Sequence, residues 1–150
     1  MMLHITREVY AQICETLGRN PPECGGVLGS RGDGVISAFY FDWTGRSSST
    51  GYAPDVTAIN DMLIEQWMPQ GILMVGIVHS HANGNIVPSC GDISYGIRIL
   101  QALDTVDRFY LPIVTMDKEQ IRMDWYTICQ EENLGFVCRK TEYDIVQNES

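Results

Sequence analysis

His79-Ser80-His81 closes the apolar run Ile72-Leu73-Met74-Val75-Gly76-Ile77-Val78, and Ser89 and Asp92 follow soon after. Successive side chains of a strand alternate faces, so His79 and His81 project to one side while Ser80 points away. Two imidazole nitrogens can then share one ion. Asp92 opens a helix, and the segment from Pro88 to Asp92 need only fold back over the strand end to add an oxygen. Two nitrogens and one oxygen suit a single Zn²⁺ with water as its fourth ligand. A structural site fills all four positions from the protein, usually with thiolates, so a three-ligand set points to catalysis. An open zinc lowers the pKa of a bound water toward ~7, and some group must then accept the proton.

Plainer readings compete for the same residues. Ser89-Cys90-Gly91-Asp92 fits S-x-x-D, a capping box in which both side chains satisfy helix N-terminal amides. A lone histidine is usually a hydrogen-bonded structural residue, and His4 falls in that class. The zinc deaminase signature H-x-E with P-C-x-x-C fails, because His81 stands in place of the glutamate and Ser89 follows Pro88. Cys90 reads as a buried, inert thiol rather than a ligand.

The elements that must position these residues follow from periodicity. Thr6 caps a first helix with Val9, Ile13 and Leu17 on one face, stopped by Gly18 and Asn20-Pro21-Pro22. Glu23 to Gly29 is a short strand whose glycines weaken it unless a backbone or ligand approaches closely. Arg31 to Gly34 turns the chain into Val35–Phe41, the other arm of a hairpin. Asp42 to Pro54 is polar and small, a mobile surface loop able to border a binding groove. Asp55 caps a second helix with Val56, Ile59, Leu63 and Trp67 on one face, ending before Pro69. Ile72 to Val78 lacks polar alternation and is a central strand covered on both faces. A third helix follows Ser89, with Ile93, Ile97 and Leu100 inward. Phe109 to Met116 and Ile121 to Ile128 are strands around the turn at 117–120, with Pro112 placing the first at an edge or bulge. Phe136 to Val146 is a last, weakly patterned strand, and Gln147 to Ser150 a frayed tail.

This order predicts a single α/β domain over residues 1–150, a mixed sheet flanked by helices. A chain of 150 residues with 45% hydrophobic content can bury a sizeable core unaided. The net charge of −9 argues against a nucleic-acid partner, which needs a basic face. The longest apolar run falls far short of the ~20 residues of a membrane helix. Five cysteines without a CxxC pair, and without a leader peptide before them, suit a reducing, cytoplasmic setting.

His79-x-His81, Ser89 and Asp92, with Glu23 opening Glu-Cys-Gly-Gly-Val-Leu-Gly upstream, resembles the JAMM motif of the MPN (JAB-domain) zinc metallopeptidases. The order of helices and strands agrees over roughly residues 3 to 130. The resemblance implies an α/β domain with a curved mixed sheet, cytidine-deaminase-like in type. It implies His79, His81 and Asp92 as zinc ligands, Glu23 as general base and Ser89 as donor to the tetrahedral oxyanion. Those family members commonly carry Pro after the second His; Ala82 with Asn83-Gly84-Asn85 here implies a less rigid loop over the metal. The eukaryotic insertions that grip ubiquitin have no room, so the chain is closer to compact prokaryotic members.

The expected function is a zinc-dependent isopeptidase or peptidase, deubiquitinase-like, acting at the C-terminal tail of a ubiquitin-like protein or sulfur carrier. The activating enzyme of that protein is a second expected partner. Two alternatives stand: a non-catalytic MPN scaffold that binds a partner protein, whose members typically lose a ligand retained here, and a zinc peptidase for small amides or cell-wall peptides.

Overall fold

The computed structural model describes residues 2–48 and 51–147. In chain order the elements are β1 (Met2–Thr6), α1 (Arg7–Thr16), β2 (Gly25–Ser30), β3 (Val35–Phe41), β4 (Arg46–Ser48) and β5 (Gly51–Ala53). Then come α2 (Val56–Met62), β6 (Leu73–Ser80), α3 (Cys90–Ala102), β7 (Arg108–Tyr110), β8 (Ile113–Asp117), β9 (Gln120–Glu131) and β10 (Gly135–Val146). The molecule is an α/β domain built on a mixed sheet with helices against it.

Among the described residues, eight strands run in the order β10-β1-β3-β2-β6-β7-β9-β8, and β10 also pairs with β9. The curvature is complete, because that extra pairing closes the ladder into a ring. β10 makes the closure by changing partner along its length. Its first half pairs antiparallel with β9 up to Thr141, and Glu142 to Val146 run parallel to β1. β1 lay outside the sequence expectation, although Leu3 and Ile5 alternate inward and are almost wholly buried. His4 takes the structural place expected of it, with its Nδ1 hydrogen-bonded to the Asp144 carboxylate across the β1–β10 register.

Three apolar clusters hold the layers. α1 is capped by Thr6 Oγ1, which accepts from the Val9 amide at 3.2 Å, and presents Val9, Ile13 and Leu17 to Leu28, Val78 and Trp125. α3 packs Leu100, with Ile93 and Ile97, against Ile77, Phe109 and Ile128. α2 and the turn that follows it cover Val27 and Ile72 with Ile59, Met62 and Trp67. β6 contributes to each cluster, the two-sided cover its unbroken apolar run implied.

Four local expectations are corrected. Val56 is exposed rather than inward: it stands at the first position of α2, whose inward side chains are Ile59 and Met62, and the helix then passes into a π-helical turn at Leu63–Trp67. Trp67, at the end of that wider turn, lies in the core as expected, where it fills the space above Gly29. Phe109 to Met116 is two strands: the Pro112 ring has no amide proton, and the ladder breaks between β7 and β8 there. The stretch from Asp42 to Pro54 is more than a loop, since β4 and β5 pair antiparallel within it, although Ser49 and Thr50 lie outside the described residues. Cys90 is exposed, because it occupies the first helical position of α3 beyond the end of the sheet. Of the expected tail, residues 148–150 also lie outside the described residues.

Candidate metal centre

β6 runs into the core and stops at Ser80, which fixes where its last side chains go. His79, Ser80 and His81 are all buried, with Ser80 turned to the opposite side, its Oγ accepting from the Cys24 amide at 3.1 Å. His79 Nε2 and His81 Nε2 face one another at 2.8 Å. Asp92 Oδ2 lies 3.2 Å from the first and 3.3 Å from the second. These three ligand atoms form a group compatible with one metal ion.

The donor set fits a cation on its own chemistry. The Asn85 carbonyl can only accept, so its 3.0 Å contact with His81 Nδ1 places the proton there and leaves the Nε2 lone pair facing the other two ligands. Asp92 is held ionised. Burial alone would raise its pKa, but hydrogen bonds from His79 and His81, with the Ser89 amide, hold it far below the ordinary carboxylate range. For His81, burial works toward the neutral form and is outweighed by Asp92, the Asn85 carbonyl and Glu23, so its pKa is raised.

Asp92 reaches the site because α3 begins there. Ser89 Oγ accepts from the Asp92 amide at 3.0 Å, and Asp92 Oδ2 accepts from the Ser89 amide at 2.8 Å, a reciprocal capping box. The capping reading and the ligand reading are therefore both compatible with Asp92. Ser89 uses a lone pair for the cap and keeps its hydroxyl proton.

Glu23 precedes β2 by two residues, since the strand begins at Gly25 rather than at Glu23 as expected. Gly25 is opposite His79, and the Ser80 amide donates to the Cys24 carbonyl at 2.9 Å, so the next residue back falls beside His81. Glu23 Oε1 lies 3.9 Å from His81 Nε2, with its side chain only 14% exposed. It stands beside the trio, outside the set of three converging ligand atoms.

Tyr52 is the neighbour that sequence reasoning missed. Its ring lies nearly parallel to the His79 imidazole at 6.3 Å between centroids, and its hydroxyl donates to the buried Asp42 Oδ2 at 2.6 Å. Burial first, and the Asp42 bond and charge after it, raise the phenol pKa and keep it protonated. A Cβ on Gly25 would come within 2.4 Å of that ring, which explains the glycine beside Glu23. A weak strand glycine beside a polar stretch containing one tyrosine was the available signal.

The loop from Ala82 to Pro88 is tied down rather than loose. Besides the His81 contact, the Ile86 carbonyl accepts from the Tyr126 hydroxyl at 2.7 Å, and Asn85 Oδ1 accepts from the Val87 amide at 3.2 Å. Asn83 and Gly84 supply the two positive φ angles the turn requires. A cleft of about 240 Å³ opens beside His79, Ser89 and Asp92, with Tyr52 on its wall.

No family model and no curated protein matches the sequence. Solved structures match the fold over nearly its whole length. A protein from Desulfitobacterium hafniense aligns at TM-score 0.58 and 18% identity, covering 98% of this chain and 94% of its own. One from Salinibacter ruber aligns at 0.55 and 23%, covering 98% and 92%. The third, a JAB1/MPN domain protein from Archaeoglobus fulgidus, aligns at 0.53 and 18%, covering 97% and 98%. At these identities the likeness is one of fold. Among the described residues, no helix is long and apolar enough to cross a membrane.

Proposed function

We propose that this chain is a zinc-dependent hydrolase that cleaves a peptide or isopeptide bond at the C-terminal tail of a ubiquitin-like protein or sulfur carrier. The observation that carries the reading is the convergence of His79 Nε2, His81 Nε2 and Asp92 Oδ2 with a shielded Glu23 carboxylate 3.9 Å from His81. The likeness in fold to a JAB1/MPN domain protein and the resemblance of the motif support it.

His79, His81 and Asp92 would hold the ion. Zinc, when bound, supplies Lewis acidity to the attacking water and the substrate carbonyl. Glu23 takes the proton from that water and delivers it to the leaving nitrogen. Ser89 donates its free hydroxyl proton to the carbonyl oxygen as charge develops there. Asn85 orients His81, and Tyr52 closes one side of His79 against solvent. Ions with harder ligand preferences favour all-oxygen sets, whereas two imidazoles and one carboxylate suit zinc.

The test pairs metal with turnover. Elemental analysis is expected to find zinc near one equivalent. Glu23→Ala is expected to keep the metal and lose turnover by roughly 10²- to 10⁴-fold on a tail conjugate. Stoichiometric zinc with unchanged turnover in that variant removes Glu23 as the base.

A further inference from the structure

We propose that the cleft beside His79 and Asp92 is a subsite for one apolar substrate residue ending in a free main-chain carboxylate, which Arg98 receives. The proposal rests on the hydrolase reading above and narrows its substrate: the group released is a single C-terminal amino acid.

The cleft, about 240 Å³, has the size and lining for one side chain. Ile77, Phe109 and Leu111 give it an apolar floor, and Tyr52 and Tyr95 are aromatic walls. Two metal ligands, His79 and Asp92, lie at its edge, so whatever fills it sits next to the reacting bond. Arg98 is the only cation among the residues that line it.

Arg98 and Asp92 are both on α3, six positions apart, or ~9 Å along the axis at 1.5 Å per residue. The Arg98 side chain shortens that gap. Its Cζ lies 5.6 Å from the Tyr95 ring centroid, one turn nearer to Asp92. A terminal carboxylate follows the scissile nitrogen by one residue, ~3.5 Å of extended chain. Arg98 and Asp92 line the same cleft, so a carboxylate received by the guanidinium belongs to a residue seated beside the metal ligands.

Charge points the same way. The chain carries nineteen acidic residues against ten Lys and Arg, yet among the described residues no carboxylate pairs with Arg98. Arg122 and Arg139, in contrast, each bind a carboxylate through two nitrogens. A planar fork resting on an aromatic face beside an apolar pocket suits a carboxylate, which it can take bidentately. A lysine isopeptide would place its alkyl stem there, and an internal peptide bond an uncharged amide. In the balanced step, water's oxygen joins the acyl carbon, the C–N bond to the last residue breaks, and the proton from Glu23 leaves with the amine of the free amino acid.

The test reads binding separately from turnover. The full chain is titrated with N-acetyl-leucine, N-acetyl-leucinamide and N-acetyl-glutamic acid α-amide while backbone amide resonances of Tyr95 and Gly96 are followed by NMR. N-acetyl-leucine is expected to shift them, with affinity lowered about tenfold for leucinamide and about tenfold in Arg98→Gln. Arg98→Lys is expected to recover part of that loss. Equal binding of acid and amide, or binding unchanged in Arg98→Gln, overturns the subsite. Preference for the glutamic acid α-amide overturns the chain-terminal assignment. Peptides ending in leucine or leucinamide are then offered to the zinc-loaded chain. Selective binding without hydrolysis of either peptide supports the subsite and counts against the hydrolase reading, so the two ideas fail separately.

Discussion

At the scale of single residues, Tyr52 and Asp42 show how the site is built from behind. Asp42 is 3% exposed; its Oδ2 accepts from the Tyr52 hydroxyl and from the Asp55 amide at 3.0 Å, while Oδ1 has no hydrogen-bond partner among the described residues. Tyr52→Phe would keep the ring beside His79 and remove one of those donors from a buried carboxylate. The expected cost is about 1–3 kcal/mol, read as a lowered urea midpoint with unchanged slope. No loss of stability would mean that the Asp42 bond contributes nothing net. Residues of this kind are hard to read in a sequence. His79 and His81 share a face by strand parity alone, and their approach to Asp92 followed from the short connection. Tyr52 owes its place to a bond with Asp42 and to the space over Gly25, and neither follows from periodicity.

At the scale of elements, the start of α3 combines two tasks on Ser89. As N-cap its oxygen accepts from the Asp92 amide, and as proposed donor its hydroxyl proton faces the substrate. Substitution can separate the two. Glycine is tolerated at an N-cap at a cost of a few tenths of a kcal/mol, whereas alanine costs about 1 kcal/mol, and both remove the hydroxyl. Ser89→Gly is therefore expected to melt close to wild type and lose roughly 10²- to 10³-fold in kcat, the size typical of a missing oxyanion donor. If activity falls only in step with stability, from glycine to alanine, the cap is the whole role of Ser89. The cap was legible because S-x-x-D names its own geometry. The second helix was legible less far: Asp55, Ile59 and Trp67 take the expected places, but Val56 stands in solvent at the helix start and the chain passes through a π turn at Leu63–Trp67. Such an insertion is settled by packing on Gly29 and Ile72, which a local window does not contain.

At the scale of the whole molecule, the ring of strands was the least legible feature, and the reason is sequence distance. β1 has five residues, and its parallel partner lies at Glu142 to Val146, at the far end of the chain. Neither the short alternation of Leu3 and Ile5 nor the half-exposed pattern of β10 announces a partner so remote. Closure depends on β10 staying registered on β9, and Asp124 is placed to hold it. The carboxylate, 5% exposed, takes Arg122 Nε at 2.9 Å within its own strand and Lys140 Nζ at 3.0 Å from β10. Burial alone would raise its pKa; the bonds to Arg122 and Lys140 outweigh that and lower it. A carboxylate with a depressed folded pKa adds stability that is full above the ordinary unfolded value of ~3.9 and is lost as pH falls through the folded value. Asp124→Asn is accordingly expected to cost about 1–3 kcal/mol at neutral pH. The difference from wild type is expected to shrink on acidification below pH ~4, as the native carboxylate takes up its own proton. Urea midpoints of the two proteins measured down this pH range check it. A gap that stays constant through the acid range would assign the cost to lost packing, and the link between β9 and β10 would then not depend on the charge of Asp124.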